Sequence, residues 1–169
     1  HLEAAQAIED TLMECVYKYN VGIIAAGDFL ANGADDMPRT GDAYKAMTNI
    51  LGLQRFHGYG GDEYDITVKA NNSHPAMEDW TDGEVLARYP FFSSYKPPPT
   101  ASEDAMNLRT LAYFDVCERG VQCESFPAVV AAEAAARIVH MAIPNLMSDA
   151  NVLQAAIKWV VAGSNGSPL

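Results

Sequence analysis

The chain has 169 residues, 49% of them apolar and 20% charged; that is ordinary globular composition for one domain or part of a larger one, and it excludes collagen-like, coiled-coil and fully disordered readings. Eleven Lys and Arg stand against 22 Asp and Glu, a formal net charge of −11, so a nucleic-acid partner is excluded too, because phosphate binding needs clustered basic residues. No apolar run approaches the roughly 18–20 residues that span a bilayer, and no signal peptide opens the sequence.

Residues 4–19 predict an amphipathic helix, with Ile8, Leu12, Cys15, Val16 and Tyr19 at helical spacing and Asn20 ending it. Val21-Gly22-Ile23-Ile24-Ala25-Ala26 is a short continuous apolar run, the pattern of a strand buried on both faces. Gly27-Asp28-Phe29-Leu30 forms the loop at its carboxyl end, and residues 31–42 are rich in turn formers. Residues 43–51 predict a second helix, with Tyr44, Met47, Ile50 and Leu51 on one side. Gly58-Tyr59-Gly60-Gly61 reads as a flexible break.

Residues 65–70 alternate and predict a half-exposed strand with Ile66, Val68 and Ala70 inward. A turn follows at 71–75, and 76–95 holds a short helix or a short strand. Lys96-Pro97-Pro98-Pro99-Thr100 is a stiff connector. Further strands are predicted at 108–116, 128–132 and 138–143. A last helix opens at Ser148 or Asp149 with a broad stripe of Val152, Leu153, Ala156, Ile157, Val160 and Val161, and 163–169 is a flexible tail. This order predicts a single α/β domain over 1–169, a layered sheet with a parallel core. The last three strands are too close for helices between them and form an antiparallel extension.

Cys15 lies in the first helical stripe and reads as a small core residue. Cys117 and Cys123 flank Glu118-Arg119-Gly120-Val121-Gln122, a spacing that suits a disulfide-closed turn; free thiols and metal ligation are the other readings. A bridge there implies an oxidising compartment.

Four stretches together resemble a class I glutamine amidotransferase-like (flavodoxin-like) domain of the trehalose-utilisation type: YNVGIIAAGDFL, VKANNSHPAM, SFPAVVAAEAAARIVHMAIPNLM and SDANVLQAAIKWVVAG. The resemblance covers about two-thirds of the chain. It implies a flavodoxin-like sheet, here without the strand–helix units that open such domains, so that the chain is a fragment or takes its first strands from a partner. The enzymes of that family use a Cys nucleophile on a sharp strand-to-helix turn. None of the three cysteines has that Gly-x-Cys-x-Gly setting, so the resemblance implies a non-catalytic member.

In open α/β sheets ligands bind at the carboxyl ends of strands, which makes Asp28 the best-placed acid. Asn32, Asp35 and Asp36 follow it closely, and Asp28, Asp35 and Asp36 are the candidates for calcium, although no regular calcium-loop pattern is present. His57 precedes a glycine-rich stretch with Asp62, Glu63 and Asp65, a set able to do acid–base work or to form a mobile surface loop. Tyr59 and Tyr64 are candidates for stacking on a sugar ring. His74 in Ser-His-Pro reads first as a structural turn and second as a catalytic group. His140, between Val139 and Met141, reads as a packed sheet histidine. Trp80, Tyr89, Phe91, Phe92 and Tyr95 form either a satellite cluster or a carbohydrate platform.

Three functions follow. The leading one is a non-catalytic accessory or ligand-binding domain of a secreted or surface, carbohydrate-related protein, binding through Asp28, Asn32, Tyr59, Asp62 and Glu63. The alternatives are a hydrolase using Asp28, His57 and His74, and a self-associating unit whose strand edges pair with another chain. No cofactor is expected; a cytoplasmic location is the alternative to secretion.

Overall fold

Alternation places Ile66, Val68 and Ala70 on one face of a strand, and each is at most 1% exposed. That strand lies inside a six-stranded sheet of a computed structural model, which describes residues 2–27, 54–61, 64–96, 108–118, 123–133 and 135–164. The elements are α1 (Leu2–Tyr17), β1 (Ile23–Ala26), β2 (Gln54–Gly60), β3 (Tyr64–Ala70), β4 (Val85–Tyr89), β5 (Phe91–Lys96), β6 (Arg109–Glu118), β7 (Glu124–Glu133), β8 (Arg137–Met141) and α2 (Ala150–Ser164). The sheet order is β1-β8-β7-β6-β3-β4. Among the described strands of this sheet only β1 and β8 run parallel; the other pairs are antiparallel.

β2 and β5 form a separate antiparallel pair. It rests on the large sheet through Phe92, whose ring centroid lies 5.5 Å from that of Phe114 and 4.9 Å from that of Phe126. The Ser94 hydroxyl donates to the Pro127 carbonyl at 3.1 Å and fixes the pair against β7.

Asp149 caps α2: its Oδ1 accepts from the backbone N–H groups of Asn151 and Val152, both at 3.0 Å. Val152, Ala155, Ala156, Trp159 and Val160 make its buried face. α2 closes on the start of β1 because residue 22 is glycine. A Cβ there would sit 2.2 Å from Val160 Cγ1 and 2.9 Å from the Arg137 carbonyl oxygen.

This architecture overturns the flavodoxin-like α/β expectation, and with it the resemblance to glutamine amidotransferase-like domains. Strand outweighs helix among the described residues, which hold two α-helices, and the large mixed sheet curls into a half-barrel. What fails is the parallel core: the middle of the sheet is β7, β6 and β3, all antiparallel, and the short links read from the sequence account for two of its joins. Only residues 119–123 separate β6 from β7, and only 134–136 separate β7 from β8. Such links close antiparallel neighbours and are too short for the helical crossover that a parallel pair requires. The segment expected at the buried centre is also displaced: β1 lies at the margin of the sheet, and of its residues only Ala25 is buried.

Smaller corrections follow. Gly58 and Gly60 are not a break but belong to β2, paired with Ser93 and Phe91. The stretch 76–95 holds a 3-10 turn at Pro75–Met77, then β4 and the start of β5. In α1, which ends at Tyr17, Val16 is fully buried but Ile8 is 50% exposed, and Tyr19, beyond the helix, is 60% exposed. The expected helix at 43–51, the prolines at 97–99 and residues 165–169 lie outside the described residues.

Candidate functional site

Asn71 organises the end of β3. Its N–H donates to the Leu111 carbonyl at 2.9 Å and its side-chain amide to the Thr110 carbonyl at 2.8 Å. Its Oδ1 accepts from the Ser73 hydroxyl at 2.8 Å. This local turn, the chemistry expected of Asn before Ser, delivers Ser73 and His74 toward α2.

His74 is 8% exposed. Its Nδ1 accepts the Ala76 backbone N–H at 3.1 Å, so the neutral ring carries its proton on Nε2. The ring meets Trp159 edge-on, centroids 4.3 Å apart at 76°. The Arg137 guanidinium lies 3.8 Å from the centroid of the same indole. Arg137 also donates through Nε to the Glu133 carboxylate at 3.1 Å and through Nη1 to the Trp159 carbonyl at 3.3 Å. Between these groups opens a cleft of about 240 Å³, lined by Ser73, His74, Arg109, Glu133 and Trp159 with two alanines of β7.

Burial, and next the charge of Arg137, push the His74 pKa below its ordinary 6.5. The unfolded chain therefore binds a proton that the folded chain resists. Stability from this site is full above about pH 6.5 and falls as the pH drops below it. We expect the denaturation midpoint to decrease on acidification through this window, with a shallower decrease in His74→Asn, whose Oδ1 can still accept the Ala76 N–H. An unchanged slope in that variant would remove His74 as the source.

The indole also borders a larger, apolar groove of about 730 Å³ between α2 and residues 76–79, lined chiefly by Ala76, Leu153, Ile157 and Val161. Lys158 and Asp79 form an ion pair at its rim, 3.0 Å apart.

Of the expected site residues, His74 alone is placed in a described cleft. Asp28, Asn32, Asp35, Asp36, Asp62 and Glu63 lie outside the described residues. His57 and Tyr59 have their backbone on β2, opposite Ser94 and Phe92, with their side chains outside the description. β2 belongs to a different sheet from the strand that delivers His74. His140 is 1% exposed, and its Nε2 lies 2.9 Å from the Gly27 carbonyl. The aromatic stretch is divided: Phe92 is buried and Phe91 is 40% exposed.

Arg109, Glu133, Arg137 and Trp159 were not anticipated. Their signal was weak because each is a single residue at a strand end or on a helix face, distant in sequence from His74. One trace existed: Val152, Ala155, Ala156 and Trp159 recur at helical spacing.

No protein-family model matches the sequence, and no curated protein sequence is similar enough to be grouped with it. Among solved structures, the chain is similar to the β-galactosidase of Bacillus circulans sp. alkalophilus, with a TM-score of 0.55 at 7% identity over 96% of this chain and 20% of that one. It is similar also to the cold-adapted β-galactosidase of Rahnella sp. R3, with a TM-score of 0.55 at 11% identity over 92% of this chain and 20% of that one. The chain thus spans about a fifth of the length of these enzymes, and at such identities the likeness is one of fold.

Proposed function

We propose that the chain is a non-catalytic, ligand-binding accessory domain of a carbohydrate-related protein, with the His74 cleft as its binding site. One observation carries this reading: the polar groups lining the cleft are already held by neighbours. His74 Nδ1 is held by Ala76, Glu133 by Arg137, Ser73 by Asn71, and Arg109 donates to the Leu108 carbonyl at 2.8 Å. Groups pinned in this way recognise a ligand well and exchange protons poorly. A glycosidase needs two carboxyl groups across a scissile bond, about 5–9.5 Å apart. Glu133 is the single carboxylate among the described residues that line the cleft.

The volume is below the roughly 300–1,000 Å³ of sites for drug-sized ligands, so the occupant is of single-sugar size. Arg109 and the Nε2–H of His74 favour a ligand rich in acceptors, such as a sugar acid. The fold shared with part of two β-galactosidases supports the carbohydrate context. The Cys117–Cys123 bridge supports a secreted or surface location.

Calorimetric titration with D-galactose and D-galacturonate, beside an assay on a nitrophenyl β-galactoside, tests the reading. The expected result is saturable binding of galacturonate, weakened about 10–100-fold in Arg109→Ala, as for loss of a charged hydrogen bond worth roughly 1.5–3 kcal/mol, and no turnover. Hydrolysis, or no binding of either sugar, overturns it.

A further inference from the structure

Cys117 and Cys123 are joined by a disulfide that ties the end of β6 to the residue before β7. Asp115, two residues before Cys117 on the same face of β6, brings a carboxylate oxygen to the bridge; this oxygen and the two sulfurs all lie within 4.8 Å of one another. Strand register sets Asp65 of β3 directly opposite Cys117, and opposed residues share a face. Asp65 thus stands one strand away but outside that group of three, its carboxylate bound to Arg88 at 2.9 Å and well exposed.

We propose that these residues form a redox-gated zinc site: with the bridge reduced, the thiolates of Cys117 and Cys123 and the carboxylate of Asp115 hold one Zn²⁺, with Asp65 or water in the fourth position. A tetrahedral zinc ion has bonds of about 2.0–2.3 Å, which set ligand atoms roughly 3.3–3.8 Å apart. Once the S–S bond opens, shifts of about an ångström or two bring the three atoms to that geometry. Two thiolates with one or two carboxylates suit zinc better than the hard, all-oxygen preference of calcium or magnesium.

The chemistry balances with a dithiol as reductant. Thiolate attack opens the S–S bond; two electrons and two protons pass to Cys117 and Cys123 as the reagent closes to its own disulfide. Zinc binding then expels both thiol protons to buffer. The same two sulfurs serve either as bridge or as ligands, so oxidation and metal occupancy exclude each other: the zinc form belongs to the reduced chain, before it reaches the oxidising compartment that keeps the bridge closed.

Lys69 sets the strength of the site. Its ammonium group is bonded to Asp115 Oδ2 in a part-buried ion pair, and an incoming cation must displace it. The metal then does what Lys69 does now, which is to neutralise Asp115. This site is separate from the His74 cleft. Arg109 and Cys117 lie at opposite ends of β6, roughly 26 Å apart at 3.3 Å per residue.

The test uses the full chain carrying Cys15→Ala, which removes the free thiol. The protein is reduced with a dithiol, desalted under inert gas and titrated with Zn²⁺ against a chromophoric chelator. Cd²⁺ serves as a second probe through its sulfur-to-metal charge-transfer absorption. The expected result is one Zn²⁺ per reduced chain and none per oxidised chain. Affinity should fall at least about 100-fold in Cys117→Ser and about 10-fold in Asp115→Asn, and rise in Lys69→Ala. The oxidised and reduced forms of one protein provide the comparison without relying on a substitution that harms folding. No zinc uptake on reduction, equal uptake by the oxidised chain, or unchanged affinity in Asp115→Asn each overturns the proposal.

Discussion

Phe114→Ala is expected to destabilise the chain by about 3–5 kcal/mol, the cost of emptying a buried aromatic site. Phe114 is fully buried on β6. Its register partners are Val68 of β3 and Phe126 of β7, so its ring sits on the three strands that form the middle of the sheet. The ring also meets Phe92, through which the β2–β5 pair rests on that sheet. Truncation therefore loses apolar burial inside the sheet and weakens the seat of the second one. Denaturant unfolding followed by circular dichroism provides the measurement. Phe114→Leu keeps most of the volume and should cost less than about 1.5 kcal/mol. A loss below 1 kcal/mol in the alanine variant would show that this ring is not the joint between the two sheets.

Trp159→Ala should be comparably severe, at about 3–5 kcal/mol, with a second effect at a distance. The indole is 8% exposed and holds three things together: α2, the His74 ring and the Arg137 guanidinium. Without it His74 gains water, and its pKa returns toward 6.5, because burial is the largest cause of its depression. The imidazole proton resonances, followed through pH 4–8, measure that return directly. Trp159→Phe keeps an aromatic face for both neighbours and strands no described polar partner, since the buried indole Nε1 has no hydrogen bond among the described residues. It should recover most of the stability. A His74 titration unchanged in Trp159→Ala would mean that the indole does not shield the ring.

The local elements were largely legible. Alternation at 65–70 marked β3 and its inward residues, the apolar runs near 108–116, 128–132 and 138–143 marked β6, β7 and β8, and Asp149 is the cap that its position before α2 implies. The phase of α2 was harder to read, because Leu153, Ile157 and Val161 are as apolar as the residues beneath them. Ile157 is 46% and Val161 52% exposed, while Trp159 faces inward. A helix that is apolar nearly all round does not declare which side meets the sheet.

The site was less legible still. His74 stood out through its Ser-His-Pro turn, but nothing local announced that Arg109, Glu133 and Trp159 would surround it. They come from the start of β6, the end of β7 and the last turns of α2, and only strand order brings them together.

By itself the sequence determined the two described helices and most strands of the large sheet, the absence of any apolar run long enough for a membrane helix, and a cysteine spacing suited to a bridge. These are properties of neighbouring residues, fixed by side-chain period and chain stiffness. Tertiary structure decided that β1 lies at the margin, that the sheet curls into a half-barrel and that a histidine, two arginines and an indole meet under α2. The physical reason is that a short apolar strand fits the margin or the centre of a sheet equally well. The choice is made by which partner faces remain to be covered, and that depends on the whole chain.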